Sequence, residues 1–134
     1  MRLGLNRNLS LTVRLDLDAM RKIVYLQLEA IEKFPPLSTI STIAYLILRR
    51  GISDKSADDI AREVADVRHS WLRHILTMRI DPETDTKLAD VARSLGLDGG
   101  KSLIASRLIV KYAPTVTIED LIQQWKKELF PHLP

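Results

Sequence analysis

The sequence predicts a mainly α protein built around one two-stranded antiparallel ribbon, with a connecting helix and a C-terminal helix beside it. Three observations lead there. Two short segments, Leu11-Thr12-Val13-Arg14-Leu15-Asp16 and Leu76-Thr77-Met78-Arg79-Ile80-Asp81, say nearly the same thing 65 residues apart. Each alternates apolar and polar residues, the period of a strand with one buried face. Each is followed by two helical patterns, so the order strand–helix–helix occurs twice. A lone strand of six or seven residues has no stability of its own, and its unpaired N–H and C=O groups need a partner. The matching segment is the natural one. Leu11, Val13, Leu15, Leu76, Met78 and Ile80 are expected to face a core, and Ser10, Thr12, Arg14, Thr77 and Arg79 to face outward.

The first eight residues, with Arg2 and Arg7, read as a frayed basic arm, the sharper alternative being contact with a neighbouring phosphate or groove. Strand one is expected at Leu9 to Leu15, with Asp16 or Asp18 capping the helix after it. Met20, Ile23, Val24, Gln27 and Ile31 follow helical spacing, with Leu26, Leu28 and Ala30 widening the apolar face. Pro35-Pro36 stops that helix near Phe34. Ser38 or Ser41 starts the next. Ile40, Ile43, Ala44, Leu46, Ile47 and Leu48 make it apolar nearly all round, which places it centrally. Arg49 and Arg50 suit the dipole of its last turn, and Gly51 reads as the residue that ends it.

The segment 52–72 reads as an acidic amphipathic connecting helix. Ser56 is its cap, and Ala57, Ile60, Val64, Val67 and Trp71 line one face. Strand two is expected at His74 to Ile80. Asp81-Pro82-Glu83 is a strong helix start. Leu88, Val91, Ala92 and Leu95 follow, and Gly96 ends the helix. After a turn at Gly99-Gly100, Ser102 opens a helix with Ala105, Leu108, Ile109 and Tyr112 inward, closed by Pro114. The second helices of the two copies align best at an offset of 62, so the turn before them is expected to be about three residues longer in the first copy. Finally, Thr117 caps a helix with Ile118, Leu121, Ile122, Trp125 and Leu129 on one face. The 134 residues are thus read as a single domain: a first repeat at 9–51, a connecting helix at 52–72, a second repeat at 73–113 and a C-terminal helix at 114–134.

Composition narrows the function. There is no cysteine, which excludes disulfides, thiolate metal sites and thiol nucleophiles and fits a reducing cytoplasm, the expected location. Arg2, Asn6, Arg7 and Asn8 break up any signal-peptide run, and the apolar run Ile43 to Leu48 is far too short to span a bilayer. The net charge of +3 is unevenly spread: +4 over residues 1–52, −2 over 53–72, +2 over 73–113 and −1 over 114–134. Both repeats are basic, which favours a phosphate-rich partner. His69, His74 and His132 have no companions at metal-ligand spacing and read as surface residues. No carboxylate pair is placed to share a site. Gly99-Gly100-Lys101-Ser102 lacks the first glycine and the spacing of a Walker motif. Neither catalysis nor a metal or cofactor is expected.

The strand ending T-x-R-[LI]-D, followed by Pro82-Glu83 and then by Ser102-Leu-Ile-Ala-Ser-Arg-Leu-Ile-Val-Lys-Tyr112, resembles the ribbon-helix-helix proteins of the MetJ/Arc superfamily. The likeness covers residues 9–51 and 73–113. The first copy departs from the pattern at Pro35-Pro36 and in its apolar second helix. Two copies in one chain resemble TraY-type relaxosome accessory proteins and tandem repressors. The resemblance implies a single-chain tandem ribbon-helix-helix fold, a pseudo-dimer whose ribbon lies in the major groove of double-stranded DNA. The base-contacting residues are then Ser10, Thr12 and Arg14 beside Ile75, Thr77 and Arg79. Arg can hold guanine with two hydrogen bonds, Thr can donate or accept, and Ile75 suits a thymine methyl. The competing reading is that Thr and Arg simply solvate the outer face. The N-terminus of each second helix favours phosphate. The candidates there are Ser38 and Thr39, with Ser41 as the alternative, and Gly100, Lys101 and Ser102. Ser10 is expected opposite Ile75, which makes the DNA subsite asymmetric. Specific binding is expected to need a homo-oligomer on adjacent subsites, joined by the connecting or the final helix.

The expected function is sequence-specific DNA binding without enzymatic activity, as a transcriptional repressor or as a relaxosome or partition accessory factor. Two alternatives stand beside it. One is an antitoxin-like protein whose C-terminal helix, with Trp125 and Phe130, covers a toxin. The other is a helical adaptor that binds only proteins.

Overall fold

The computed structural model describes residues 7–65, 67, 74–97 and 100–128. The described residues form a mainly helical structure with one two-stranded antiparallel sheet. In chain order the elements are β1 (Leu9–Leu15), α1 (Leu17–Lys33), a 3-10 turn (Pro35–Leu37), α2 (Ile40–Ile52), α3 (Ala57–Ala65), β2 (His74–Ile80), α4 (Pro82–Ser94), α5 (Lys101–Tyr112), a second 3-10 turn (Ala113–Thr115) and α6 (Ile118–Glu128). Arg2, His69, Trp71, Gly99, Leu129, Phe130 and His132, all named above, lie outside the described residues. No helix among the described residues is long and apolar enough to cross a membrane.

Both strands stand where the alternation put them. β1 pairs with β2 antiparallel, with Thr12 opposite Thr77, Ser10 opposite Arg79 and Arg14 opposite Ile75. Ser10 therefore does not face Ile75. The two hold equal places in the two similar segments, and antiparallel pairing about the Thr12–Thr77 rung sets equal places diagonally rather than opposite. Leu11, Val13, Leu15, Met78 and Ile80 are buried, and Leu76 is half-buried. They join residues from all six helices in one apolar core.

Local chemistry fixes most helix ends. Asp16 accepts from the Ala19 N–H at 2.8 Å and caps α1. Thr117 and Asp120 cap α6 reciprocally, each side chain accepting from the other's N–H at 3.1 Å. Those bonds hold the Asp120 carboxyl below the usual carboxylate range. Gly96, at φ 69°, ends α4 in a Schellman motif, with Leu97 N–H donating to the Ala92 carbonyl at 2.8 Å. Ser56 caps α3 as expected, accepting from the Asp59 N–H, but α3 ends at Ala65, so Val67 lies beyond the helix and not on its apolar face.

Elsewhere the structure departs from the expectations. The cap of α2 is Thr39, not Ser38 or Ser41; its Oγ1 accepts from the Thr42 N–H at 3.3 Å. The cap position of α5 is Gly100, and the helix begins at Lys101 rather than Ser102. The turns joining the paired helices, residues 34–39 and 95–100, are equally long. The extra length of the first copy is instead one more turn of α1, which has 17 residues against 13 in α4. Adding close to 3.6 residues lengthens a helix without rotating its apolar face. The buried face of α1 is Ala19, Ile23, Leu26 and Ala30, whereas Val24, Leu28 and Ile31 are exposed. Apolar residues surround most of this helix, so periodicity alone does not choose the buried side.

α2 runs through Gly51 to Ile52, and the left-handed residue follows at Asp54, at φ 58°. Gly51 therefore does not end the helix. A Cβ there would stand 3.1 Å from Leu108 Cδ2 and 3.2 Å from the Tyr112 ring, so its missing side chain is what lets α2 and α5 approach. Gly51→Ala is expected to cost about 1–3 kcal/mol in urea denaturation, because overpacking outweighs the better helix propensity of alanine.

Candidate nucleic-acid interface

The outer face of the ribbon presents Ser10, Thr12, Arg14, Ile75, Thr77 and Arg79, and all six are exposed. The strand period of two sends these side chains to one side while their neighbours enter the core. Thr12 and Thr77 meet at the middle, Oγ1 to Oγ1 at 3.1 Å. The two arginines sit diagonally across that rung, Arg79 beside Ser10 and Arg14 beside Ile75. Arg79 reaches the Asn8 carbonyl through Nη1 at 3.4 Å. Among the described residues neither guanidinium has a carboxylate within ion-pair distance. The face is thus short, cationic and polar, with Ile75, 57% exposed, as its apolar contribution.

Helices from opposite halves of the sequence support the ribbon. α5 packs on β1 and α2 on β2. The Arg14 N–H, on the outer edge of β1, donates to Ser106 Oγ at 2.9 Å, and Ser106 in turn donates to the Ser102 carbonyl. On β2, Arg7 Nε donates to the Arg79 carbonyl at 3.1 Å. Edge groups that would otherwise invite another strand are taken up in this way. Arg7 is accordingly not part of a frayed arm. Its guanidinium lies 4.5 Å from the centre of the Tyr45 ring, a cation–π contact. Burial lowers the Arg7 pKa, and the fields of Tyr45 and Asp81 oppose that shift.

Beneath the end of β2 lies a buried polar cluster. Asp81 is 2% exposed, caps α4 through the Thr84 N–H at 3.1 Å, and accepts from Thr84 Oγ1 and the Tyr45 hydroxyl. Burial pushes the Asp81 carboxyl up, but these bonds and the Arg49 charge together hold it below its ordinary value. Burial, then the bond to Asp81, pushes the Tyr45 hydroxyl far above its own. Arg49 donates to Thr84 Oγ1 and lies 3.7 Å from both Glu83 and Glu128. Sequence reading found the Asp81 cap but not this cluster. The available signal was Tyr45 in the middle of an apolar helix, since a buried phenol needs a partner.

The phosphate candidates are divided. Thr39 is spent on capping, and the Ser38 carbonyl accepts from Gln27 Nε2 at 2.9 Å. Ser41 is half-buried within α2. At α5, Ser102 is exposed, the Gly100 cap offers no side chain, and Lys101 Nζ is 2.9 Å from Asp85 Oδ1. Lys101 therefore reaches an outside anion only by loosening that pair.

Away from the ribbon, a groove of about 550 Å³ lies between the end of α2 and α6, lined by Arg50, Tyr112, Asp120, Gln124, Lys127 and Glu128 among others. It mixes both signs of charge. Trp125 packs edge-on against Phe34, ring centres 5.1 Å apart, so this part of the C-terminal helix is engaged within the chain. His74 is half-buried at the end of β2, opposite Leu15. No group of three potential metal-ligating side chains occurs among the described residues. Comparison with protein families, with characterised proteins and with solved structures gave no match.

Proposed function

We propose that this protein binds double-stranded DNA sequence-specifically by laying the β1–β2 ribbon in the major groove. It acts in this reading as a single-chain tandem ribbon-helix-helix protein, a repressor or a relaxosome or partition accessory factor without catalytic chemistry. The observation that carries the reading is the exposed outer face of the ribbon, with two arginines diagonal to a central threonine pair. A two-stranded ribbon fits the major groove, about 12 Å wide, where the base edges are distinguishable. The pairing register supports the tandem reading, because Thr12 and Thr77 hold equal places in the two segments and pair with each other. So does the exchange of helices: each strand is covered by the second helix of the other segment. Ser10 and Ile75, equal in place and different in chemistry, make the two halves of the ribbon read different bases.

Titration of a duplex pool at two salt concentrations tests this. For a protein making six phosphate contacts, raising salt from 50 to 200 mM is expected to weaken binding about a thousandfold. Binding that ignores salt, or no binding at low salt, would refute the reading. Lys101→Ala is expected to weaken all duplexes about equally and to lower the salt slope by up to about one. Asp85→Ala, which frees the Lys101 ammonium, is expected to strengthen them in the same assay.

A further inference from the structure

We propose that copies of this chain associate through α1, helix against helix and antiparallel, independently of DNA. Seven large apolar side chains are conspicuously exposed among the described residues, and five of them, Leu17, Val24, Tyr25, Leu28 and Ile31, lie on α1. They are not scattered. Leu17, Val24 and Ile31 are seven residues apart, and Leu28 falls between the last two at spacings of four and three, so they form one stripe along the helix. Leu28 is 59% exposed and Tyr25 56%, on the side opposite the buried Ala19, Ile23, Leu26 and Ala30. Isolated exposed apolar residues need no explanation, but a contiguous stripe marks an interaction surface.

Charge identifies the occupant. Arg21 lies in the N-terminal part of the stripe and Glu32 near its C-terminal end, both exposed. Glu29 is already paired with Lys33, and Lys33 also with Glu119. Arg21 and Glu32 have no ion-pair partner among the described residues. A two-fold interface must be complementary to itself. An axis crossing α1 between Tyr25 and Leu28 sets Arg21 of one copy against Glu32 of the other, twice, and sets Tyr25 against Leu28 across the centre. The same axis sets Val24 beside Glu29 and Ile31 beside Lys22, so the apolar match lies at the centre, on Tyr25 and Leu28, and the Arg21–Glu32 pairs fix the reversed direction. With 17 residues the helix is about 25 Å long, which limits the contact to the small end of specific interfaces. Association is accordingly expected near tens of micromolar, as for other small contacts. It also differs in place from an interface through the connecting or the final helix.

Sedimentation velocity of the full chain without DNA, from about 5 to 500 µM, reads this directly. The expected result is a monomer–dimer equilibrium. Leu28→Glu should weaken it about thirtyfold or more, with the circular dichroism spectrum and melting temperature unchanged because the position is exposed. Arg21→Glu and Glu32→Arg should each weaken it about tenfold, and an equimolar mixture of these two variants should recover dimers. A chain that is monomeric throughout overturns the proposal, and so does association indifferent to Leu28→Glu. Failure of the two charge variants to recover together overturns the antiparallel pairing with a second copy. Since DNA is absent from every arm, none of these outcomes depends on the ribbon reading.

Discussion

Arg79→Ala is expected to abolish most of the discrimination between a preferred duplex and a random one. A bidentate arginine–guanine contact is worth about 1–3 kcal/mol, so affinity for duplexes selected from a randomised pool should fall about 10- to 100-fold. Affinity for random duplex should fall only by the loss of one charge. In the proposed reading Arg79 is available for such a contact: its backbone is held by Arg7, its side chain is exposed, and no described carboxylate competes for it. Arg79→Lys keeps the charge but loses the planar fork, so it should resemble alanine in selectivity and wild type in salt dependence. Arg14, diagonal to Arg79 beside Ile75, should read a different base from its counterpart beside Ser10. The measurement is a competition titration at fixed salt. If Arg79→Ala leaves the ratio of affinities intact, and Lys101→Ala leaves all binding intact, the ribbon does not read DNA.

Asp81→Ala is expected to be the most destabilising single change of those considered, at about 3–7 kcal/mol. It removes a helix cap, worth about 1 kcal/mol, and leaves the Tyr45 and Thr84 hydroxyls buried without their acceptor, at about 1–3 kcal/mol each. That is a large share of the 5–15 kcal/mol typical of a folded domain. Tyr45→Phe, which removes a donor but keeps the ring under Arg7, should cost about 1 kcal/mol. Urea denaturation separates the two. The pH dependence gives an independent check. The Asp81 carboxyl is held below its unfolded value of about 4, so its contribution is fully present above that pH and is lost as pH falls through the lower folded value. Wild-type stability should therefore drop below about pH 4, and Asp81→Ala should flatten the drop. A residual slope should remain from Glu63, whose carboxyl is pushed up by burial but held low by bonds from Tyr112 and Lys55. An unchanged slope in the variant would mean that Asp81 does not carry the acid sensitivity.

Both strands, their inward and outward faces, the caps at Asp81 and Thr117, and the stop at Gly96 were legible from residue order, with Asp16 as one of two candidates for the first cap, because each depends on neighbours within a few positions. Alternation sets a strand's faces, and an Asp or Thr beside free N–H groups sets a helix start. Three features were decided by the tertiary structure. Arg7 is anchored because Tyr45 and the β2 edge come to it from distant parts of the chain. Gly51 is required by the approach of α5 and not by a turn. α1 buries its alanine-bearing side and leaves Leu28 and Ile31 outside, a choice made by what packs against it. The sequence by itself determined which segments become strands and helices and, at Asp81 and Thr117, where a helix begins, since those are short-range matters of spacing and hydrogen bonding. Only the tertiary structure decided which of several apolar faces is buried and which charges find partners, because burial and ion pairing depend on groups that the fold, and not the order of residues, brings within reach.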